Sequence, residues 1–235
     1  DYIMNTLAPE DMVLAVKREN GGITYDTQVS VPQNVVVERG RPLDCLKQLL
    51  ASDRYTVARI CCFADAAYAR GLPETALVRE DDNIWYDANG GAWLDPTDPT
   101  VLSYITSLVK ECASLGFDEV LFDNFTVPDD SSIAWDAEAI TQVAALEDCA
   151  ETLGANLTGS SIRLALGTTV PSVAQYASRV YITTEKANDV MTMTEAMGEV
   201  LPDPATQLVF VTTSHDTRFD AAGVIRPLMG DDSGD

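Results

Sequence analysis

The chain alternates between short apolar runs and longer stretches in which apolar residues recur every three or four positions. Apolar runs that are nearly continuous, without strict alternation, are typical of strands buried on both faces of a parallel sheet. The pattern predicts six such strands: Met12–Val16, Thr56–Phe63, Glu119–Phe125, Ile162–Gly167, Arg179–Thr183 and Leu208–Thr213.

The stretches between these runs predict helices. Apolar residues recur at helical spacing over Pro99–Leu115, and Gly116 supplies the stop. A similar stripe covers Asp136–Leu153 and ends at Gly154. Weaker helical patterns cover Arg41–Ser52 and Asn188–Val200. Repeated strand–helix alternation indicates an α/β domain with parallel strands.

Two architectures fit this order, a TIM-type (β/α)8 barrel and an open doubly wound sheet. We expect one domain over residues 1–235, because α/β barrels reach about 250 residues without splitting. Asp1–Pro9 resembles the tail of a first helix, and too few residues follow Thr213 for another strand–helix unit. A barrel would therefore be incomplete, with its first and last strands trimmed or missing. The chain opens without an initiator Met, which suggests a domain taken from a longer protein.

Charge and composition narrow the classes of partner. The formal net charge is −22, from 37 acidic and 15 basic residues, which disfavours nucleic acids and anionic membranes. No apolar run is long enough for membrane insertion. A single histidine, His215, excludes a histidine-rich zinc site, and we predict no metal. The five cysteines include no CxxC pair and are interpreted as buried small hydrophobic residues: Cys45, Cys61, Cys62, Cys112 and Cys149.

The most informative segment for chemistry runs from Gly116 to Phe125. A glycine ends a helix, an apolar strand follows at once, and Asp123 stands at its end. A carboxylate there points into the mouth of a barrel, as nucleophile, general base or oxocarbenium stabiliser. The alternative is that Asp123 caps a helix or orders the loop. Two long irregular segments, Arg18–Gly40 and Ala64–Pro99, also follow strands and would lie at the same end.

Three segments in order resemble a family of bacterial glycoside hydrolase domains that is distantly similar to the α-amylase superfamily. The match covers roughly residues 5–130. The matching segments are Leu14-Ala15-Val16-Lys17-Arg18-Glu19-Asn20-Gly21-Gly22-Ile23-Thr24-Tyr25-Asp26, Val57-Ala58-Arg59-Ile60-Cys61-Cys62-Phe63-Ala64-Asp65 with Gly91-Ala92-Trp93-Leu94-Asp95-Pro96, and Leu115-Gly116-Phe117-Asp118-Glu119-Val120-Leu121-Phe122-Asp123.

The resemblance implies a (β/α)8 barrel, a carbohydrate substrate, no organic cofactor and an extracytoplasmic or cell-surface location. It places Asp123 after the fourth strand, where related barrels keep their nucleophile, and it places Lys17, Arg59 and Trp93 along the substrate cleft. Asn124 and Asp65 are expected to line the same cleft.

The chain also departs from the family pattern. The family usually has an acid two residues before the lysine, where this chain has Ala15. It usually has an aromatic residue and an arginine after the strand-four aspartate, where Asn124 and Thr126 stand here. Its fifth strand usually supplies another acid, which Leu164-Ala165-Leu166 lacks. These losses make an inactive protein a serious alternative.

A glycosidase needs a second carboxylate. Glu185, just after the strand Arg179–Thr183, is the first candidate, although Lys186 beside it would lower the pKa of Glu185 and weaken it as an acid. It could equally be a surface acid, and Asp65 and Asp216 are weaker candidates. His215 follows the last strand and is predicted to contact the ligand or to be a loop histidine.

Aromatic residues lie in both long loops, where their faces could stack on sugars. The alternative is that they hold the loops to the barrel, which we favour for Trp85. The residues are Tyr25, Trp85, Tyr86 and Trp93.

The sequence therefore predicts a glycoside hydrolase acting on a poly- or oligosaccharide through Asp123 and Glu185. The alternative of a different class is a carbohydrate-binding barrel without catalysis. A lyase or another hydrolase on the same barrel is the third hypothesis, because fold does not fix function. The oligomeric state is not predicted.

Overall fold

A single parallel sheet of seven strands forms the centre of the molecule. The computed structural model describes residues 11–38, 43–136 and 139–226, with residues 43–45 by their backbone alone. The strands pair in the order in which they follow one another along the chain, and every pairing is parallel. They are β1 (Asp11–Lys17), β2 (Tyr55–Cys61), β3 (Glu119–Asp123), β4 (Arg163–Gly167), β5 (Arg179–Thr183), β6 (Leu208–Val211) and β7 (Gly223–Ile225).

This strand order decides between the two predicted architectures. A doubly wound sheet reverses direction at a switch point, so that its strand order cannot be sequential. A strictly sequential parallel order is that of a barrel. Among the described residues the sheet runs from β1 to β7 without closing, and it forms a half-barrel covered by helices. The predicted first-helix tail at Asp1–Pro9 lies outside the described residues.

Helices connect successive strands. Helix α3 begins and ends where the sequence predicts. Asp98 accepts hydrogen bonds from Thr100 N and Val101 N, and Gly116 ends the helix at a φ of 100°. No helix in the described part of the chain is both long and apolar enough to cross a membrane. The helices are α1 (Leu43–Leu50), α2 (Ala66–Gly71), α3 (Pro99–Leu115), α4 (Gln142–Asn156), α5 (Pro171–Ala174), α6 (Asp189–Met197) and α7 (Pro204–Gln207).

The helix predicted over Asp136–Leu153 begins later in the structure. Thr141 caps helix α4 by accepting a hydrogen bond from Ala144 N. Before this cap, Trp135 donates its indole N–H to the carbonyl of Ile140 at 2.7 Å, so a side chain and not the helix engages this carbonyl. The apolar residue Ile140 therefore lies before the helix and not on its stripe.

A seventh strand follows Thr213, which the apolar pattern does not predict, and no further strand–helix unit follows it within the described residues. A 3-10 helix at Thr217–Ala221 makes the connection, and β7 then pairs with β6 over only three residues. A strand of this length lacks the apolar run by which the six others are recognised.

Alternate residues of each strand face opposite sides of the sheet. One set packs against the helices in the main hydrophobic core. The other set forms a smaller cluster on the inner face of the half-barrel: Val57, Leu121, Ala165, Tyr181 and Val209. By the same alternation, Arg59 and Asp123 lie on this inner face, one step nearer the carboxyl ends of their strands.

A buried polar cluster occupies the opposite end of the inner face, at the start of the strands. The fully buried carboxylate of Glu119 accepts hydrogen bonds from the hydroxyls of Tyr55 at 2.9 Å and Tyr181 at 2.6 Å. Arg179 pairs with the same carboxylate at 3.3 Å. Burial, together with the charge of Glu119, raises the pKa of Tyr55 to about 12. These groups satisfy one another's hydrogen-bonding capacity, which agrees with the stabilising role of the amino end of a barrel.

The loop after β1 is held against helix α3 by one side chain. The carboxylate of Glu111 accepts hydrogen bonds from the hydroxyls of Tyr25 and Thr27 and from Gln28 N. Tyr25 is buried, with 4% of its surface exposed. It therefore holds the loop in place and does not present its ring to a ligand.

Candidate functional site

Asp123 is the last residue of β3, at the carboxyl end of the sheet. Its Oδ2 accepts a hydrogen bond from Nε of Arg59 at 2.5 Å and also contacts Nη2 of Arg59. Its Oδ1 accepts the backbone N–H of Asn124 at 2.9 Å. The side chain of Asp123 is 19% exposed. The result is a carboxylate with a fixed orientation that remains open to the solvent at the mouth of the half-barrel.

Asn124 turns the chain sharply after the strand. Its φ of 51° lies in the left-handed region, which only asparagine, aspartate and glycine tolerate at low cost. This turn directs its N–H back to the carboxylate of Asp123, while its Nδ2 lies 3.5 Å from the sulfur of Cys61. Gly167, the last residue of β4, packs closely against the carboxylate of Asp123, since a Cβ at Gly167 would lie 3.1 Å from Oδ1 of Asp123. The end of β4 therefore has no room for a side chain beside the carboxylate.

We expect the left-handed turn at Asn124 to separate two substitutions. Asn124→Gly keeps the conformation and the N–H, and it should change the free energy of unfolding by less than about 1 kcal/mol. Asn124→Ala should cost about 1–2 kcal/mol more, because a Cβ disfavours this region. Urea denaturation measures both. Asp82 is the control, because it is exposed and also left-handed, with a φ of 61°. There too, we expect the glycine variant to have a higher free energy of unfolding than the alanine variant. Equal stability of both variants at Asn124 would contradict the argument.

Arg59 contacts a second carboxylate that the sequence did not single out. Its Nη2 lies 3.6 Å from Oε1 of Glu19, which follows β1. The side chains of Arg59 and Glu19 are 38% and 65% exposed. Glu19 belongs to a segment quoted for the family resemblance, but nothing in the sequence links it to Asp123. The link depends on parallel pairing, which sets β2 between β1 and β3.

Lys17 and Asp65 lie below this surface as a buried ion pair. Their charged atoms are 3.0 Å apart, and neither side chain has measurable exposure. Lys17 also donates a hydrogen bond to the carbonyl of Cys61, and Asp65 caps helix α2 by accepting one from Tyr68 N. The resemblance places Lys17 along the substrate cleft, but burial keeps both residues from contacting a ligand in this structure. Lys17 instead joins the ends of β1 and β2 through the carbonyl of Cys61, and both residues lie beside Tyr104 of helix α3.

Glu185 lies after β5 and is bonded to the residues that follow β6. Its carboxylate accepts hydrogen bonds from Thr213 N at 2.9 Å, the hydroxyl of Thr213 at 2.9 Å and the hydroxyl of Thr212 at 3.0 Å. These donors, the backbone N–H of Thr213 first, lower the pKa of Glu185 below its ordinary value of 4.5. The lowered pKa agrees with the prediction from the sequence, but hydrogen bonds from Thr213, and not the charge of Lys186, lower it.

We expect Thr213→Val to raise the pKa of Glu185, because it removes one hydroxyl donor and leaves the backbone N–H. A carbon-detected NMR titration of the side-chain carboxyl measures the pKa, with Thr206→Val as the control that leaves it unchanged. The bonds favour the charged form, so their stabilisation is present above the ordinary pKa and is lost as pH falls through the lowered pKa. An unaltered pKa of Glu185 in Thr213→Val would show that the Thr213 hydroxyl does not lower it.

The aromatic residues of the long loop after β2 differ in exposure. Trp85 is buried and donates its indole N–H to Ser132 at 3.0 Å, which confirms that it holds the loop. Trp93 is half-buried and donates to Asp87 at 3.0 Å. Tyr86 is 38% exposed and lies beside the guanidinium of Arg70. Trp93 and Tyr86 retain exposed ring surface that a sugar could contact.

His215 and Asp216 do not form a pair. His215 is exposed and makes no hydrogen bond or ion pair to the described residues. Asp216 caps the 3-10 helix and is bonded to Arg218, which lowers its pKa to about 2. Asp216 is therefore an ionised capping residue, and His215 extends into solvent at the carboxyl end of the sheet.

The four cysteines whose side chains are described are free and buried, as predicted: Cys61, Cys62, Cys112 and Cys149. Burial raises the pKa of the Cys112 and Cys149 thiols to about 12. The side chain of Cys45 lies outside the described residues. Over residues 11–38, 43–136 and 139–226, no group of three or more His, Cys, Asp or Glu side chains could hold a metal ion.

The chain is similar in fold to several solved structures. It aligns with a hypothetical protein from Ruminiclostridium thermocellum at 21% identity and a TM-score of 0.60, over 69% of this chain and 86% of that one. It aligns with Aspergillus fumigatus Ega3, solved in complex with galactosamine, at 11% identity and a TM-score of 0.57, over 90% and 84%. An exo-β-N-acetylglucosaminidase from Vibrio harveyi gives 10% identity and a TM-score of 0.58, over 85% and 36%.

At these identities the structural matches establish the fold alone. They agree with a half-barrel related to glycoside hydrolase barrels. No curated protein matches the sequence. A family model does match, over residues 3–199, and most of the described strands and helices fall within it. The chain therefore belongs to the family described as "Putative glycosyl hydrolase domain".

Proposed function

We propose that the domain hydrolyses glycosidic bonds of a poly- or oligosaccharide, with Asp123 as nucleophile or oxocarbenium stabiliser. The observation that carries the proposal is the carboxylate of Asp123, fixed by Arg59 and by Asn124 N at the carboxyl end of β3. An ion-paired, charged carboxylate suits either role. Barrel enzymes place their catalytic groups at this end of the sheet.

Glu185 is the proton donor in this proposal. It follows β5, two strands from Asp123 in the sheet, and its carboxylate is exposed. Its lowered pKa favours the ionised form at rest, so the bonds from Thr212 and Thr213 would have to weaken when a sugar displaces water. In the second half of a retaining reaction the same ionised group would serve as the base.

A second function, sugar binding without catalysis, is favoured by one specific observation. The carboxylate of Glu185 is already engaged by three donors, which is a poor starting point for an acid. The chain also has Ala15 and Ala165 where the family usually carries acids, and Ala165 is fully buried. A site in which Glu185 is held in its ionised form could bind a sugar and leave its linkage intact.

A screen of chromogenic glycosides and a glycan array separates the two functions. The panel should contain N-acetylglucosaminides and galactosamine-containing oligosaccharides, because proteins of similar fold act on or bind these sugars. Wild type is assayed beside Asp123→Asn. Turnover that the substitution abolishes supports the hydrolase. Binding without turnover, equal in both proteins, supports the recognition domain and removes the catalytic role of Asp123.

A further inference from the structure

The carboxylate of Glu19, at the mouth of the half-barrel, takes no part in the proposed chemistry. Arg59 contacts Asp123 through Nε and Nη2, and the same Nη2 faces Glu19. Because the two carboxylates share one guanidinium nitrogen, they are close enough for a single sugar ring to contact both. Glu19 therefore stands beside the group that would attack the sugar.

The two carboxylates differ in their capacity for further hydrogen bonds. Both oxygens of Asp123 are occupied, by Arg59 and by Asn124 N. Glu19 makes no hydrogen bond to the described residues, and its contact with Arg59 at 3.6 Å is longer than a direct hydrogen bond. A carboxylate accepts up to about four hydrogen bonds, so Glu19 has free acceptor positions.

The backbone that carries Glu19 is fixed. Arg18 N donates to the carbonyl of Gly22, and Gly21 N donates to the carbonyl of Arg18, each at 2.9 Å. Gly21 has a φ of 85° and packs on Asp65, since a Cβ there would lie 1.9 Å from Oδ1 of Asp65. The turn is therefore seated on the buried ion pair, and Glu19 extends from it toward Arg59.

We propose that Glu19 and Arg59 form a recognition subsite for a hydroxyl group of the sugar that Asp123 attacks, and that Glu19 determines specificity at this position. A hydroxyl both donates and accepts, so it can donate to Glu19 and accept from Arg59. An ammonium group only donates, so it could bond to Glu19 but could not accept a hydrogen bond from Arg59. The subsite therefore matches a hydroxyl of a neutral sugar more completely than a protonated amino group. The proposal rests on the proposed function and adds a binding role to a residue outside the reacting groups.

The test compares Glu19→Gln with wild type on the glycoside that wild type cleaves best. We expect kcat/KM to fall about 10- to 100-fold, the equivalent of one hydrogen bond to a charged group, mostly through KM. Glu151→Gln, an exposed acid on helix α4, is the control and should behave as wild type.

Monodeoxy analogues of the same glycoside separate recognition from a structural role. Removing the recognised hydroxyl should weaken wild type more than Glu19→Gln, because the variant has already lost the hydrogen bond to a charged carboxylate and retains only the weaker contacts to Arg59 and the neutral amide. Equal losses in both proteins for every analogue would overturn the proposal. A fall in kcat with loss of the alkaline limb of the pH profile would also overturn it, since Glu19 would then be the acid.

A binding experiment keeps the proposal testable if no glycoside is cleaved. Asp123→Asn and the double variant Asp123→Asn/Glu19→Gln are titrated with glucose, galactose, N-acetylglucosamine and galactosamine by NMR. Weaker binding of a neutral sugar by the double variant supports the subsite even where the hydrolase proposal fails. Equal binding by the two variants, preference for galactosamine, or binding of no sugar by either variant would overturn it.

Discussion

Asp123→Asn is expected to reduce kcat/KM for the best glycoside by about a thousandfold or more. The amide is nearly isosteric and can still accept the N–H of Asn124, so the turn after β3 should persist. It carries no charge, however, and can neither attack the anomeric carbon nor stabilise an oxocarbenium ion. The loss should appear in kcat, because the charge matters most in the transition state.

Asp82→Asn is the matched control for this substitution. Asp82 is exposed and left-handed, and asparagine tolerates that conformation. Its activity and melting temperature should equal those of wild type. A melting curve of Asp123→Asn shows whether the protein is folded. A folded variant that retains more than about a tenth of the activity would exclude Asp123 as the nucleophile.

Lys17→Met is expected to lower the free energy of unfolding by about 3–5 kcal/mol. Methionine fills most of the space of the lysine stem, but it leaves the carboxylate of Asp65 buried without its partner. For a chain of this length the loss corresponds to a fall in melting temperature of about 10 °C. Urea denaturation and a thermal melt measure the two quantities.

Two further variants test the cause of this loss. Arg18→Met breaks a partly exposed pair with Glu38 and should cost less than about 1 kcal/mol. The double variant Lys17→Met/Asp65→Asn removes both buried charges and keeps an acceptor for Tyr68 N, so it should be more stable than Lys17→Met alone. A double variant less stable than the single one would show that the unpaired charge is not the cause.

The fold was predictable wherever one element carried its own signal. Helix α3 has an apolar stripe, a capping aspartate and a terminal glycine, and it was predicted residue for residue. The later start of α4 was not predictable, because it depends on the bond between Trp135 and Ile140 and on the cap at Thr141. The choice between barrel and doubly wound sheet depends on strand order, which hydrophobic periodicity does not contain.

The candidate site shows the same difference between features with a local sequence signal and features that depend on contacts between distant residues. The position of Asp123 at the end of β3 follows from a local pattern. The burial of Tyr25 does not, because its partner Glu111 lies on helix α3, far along the chain. Glu19 meets Asp123 only through Arg59, on the strand between theirs. Sequence reasoning identifies residues that end strands, whereas the contacts between those ends require the register of the sheet.

The sequential strand order has a consequence for how the protein acquires its structure. During synthesis, each strand from β2 onward emerges when its neighbour toward the amino end has already been made. The sheet can therefore grow from one edge as the ribosome advances, with no strand waiting for a distant partner. Arg59 would be in place before Asp123 is translated, so the incoming carboxylate would meet its counter-ion as β3 docks. Nascent chains halted after β3 should already protect the amides of β2 from hydrogen exchange.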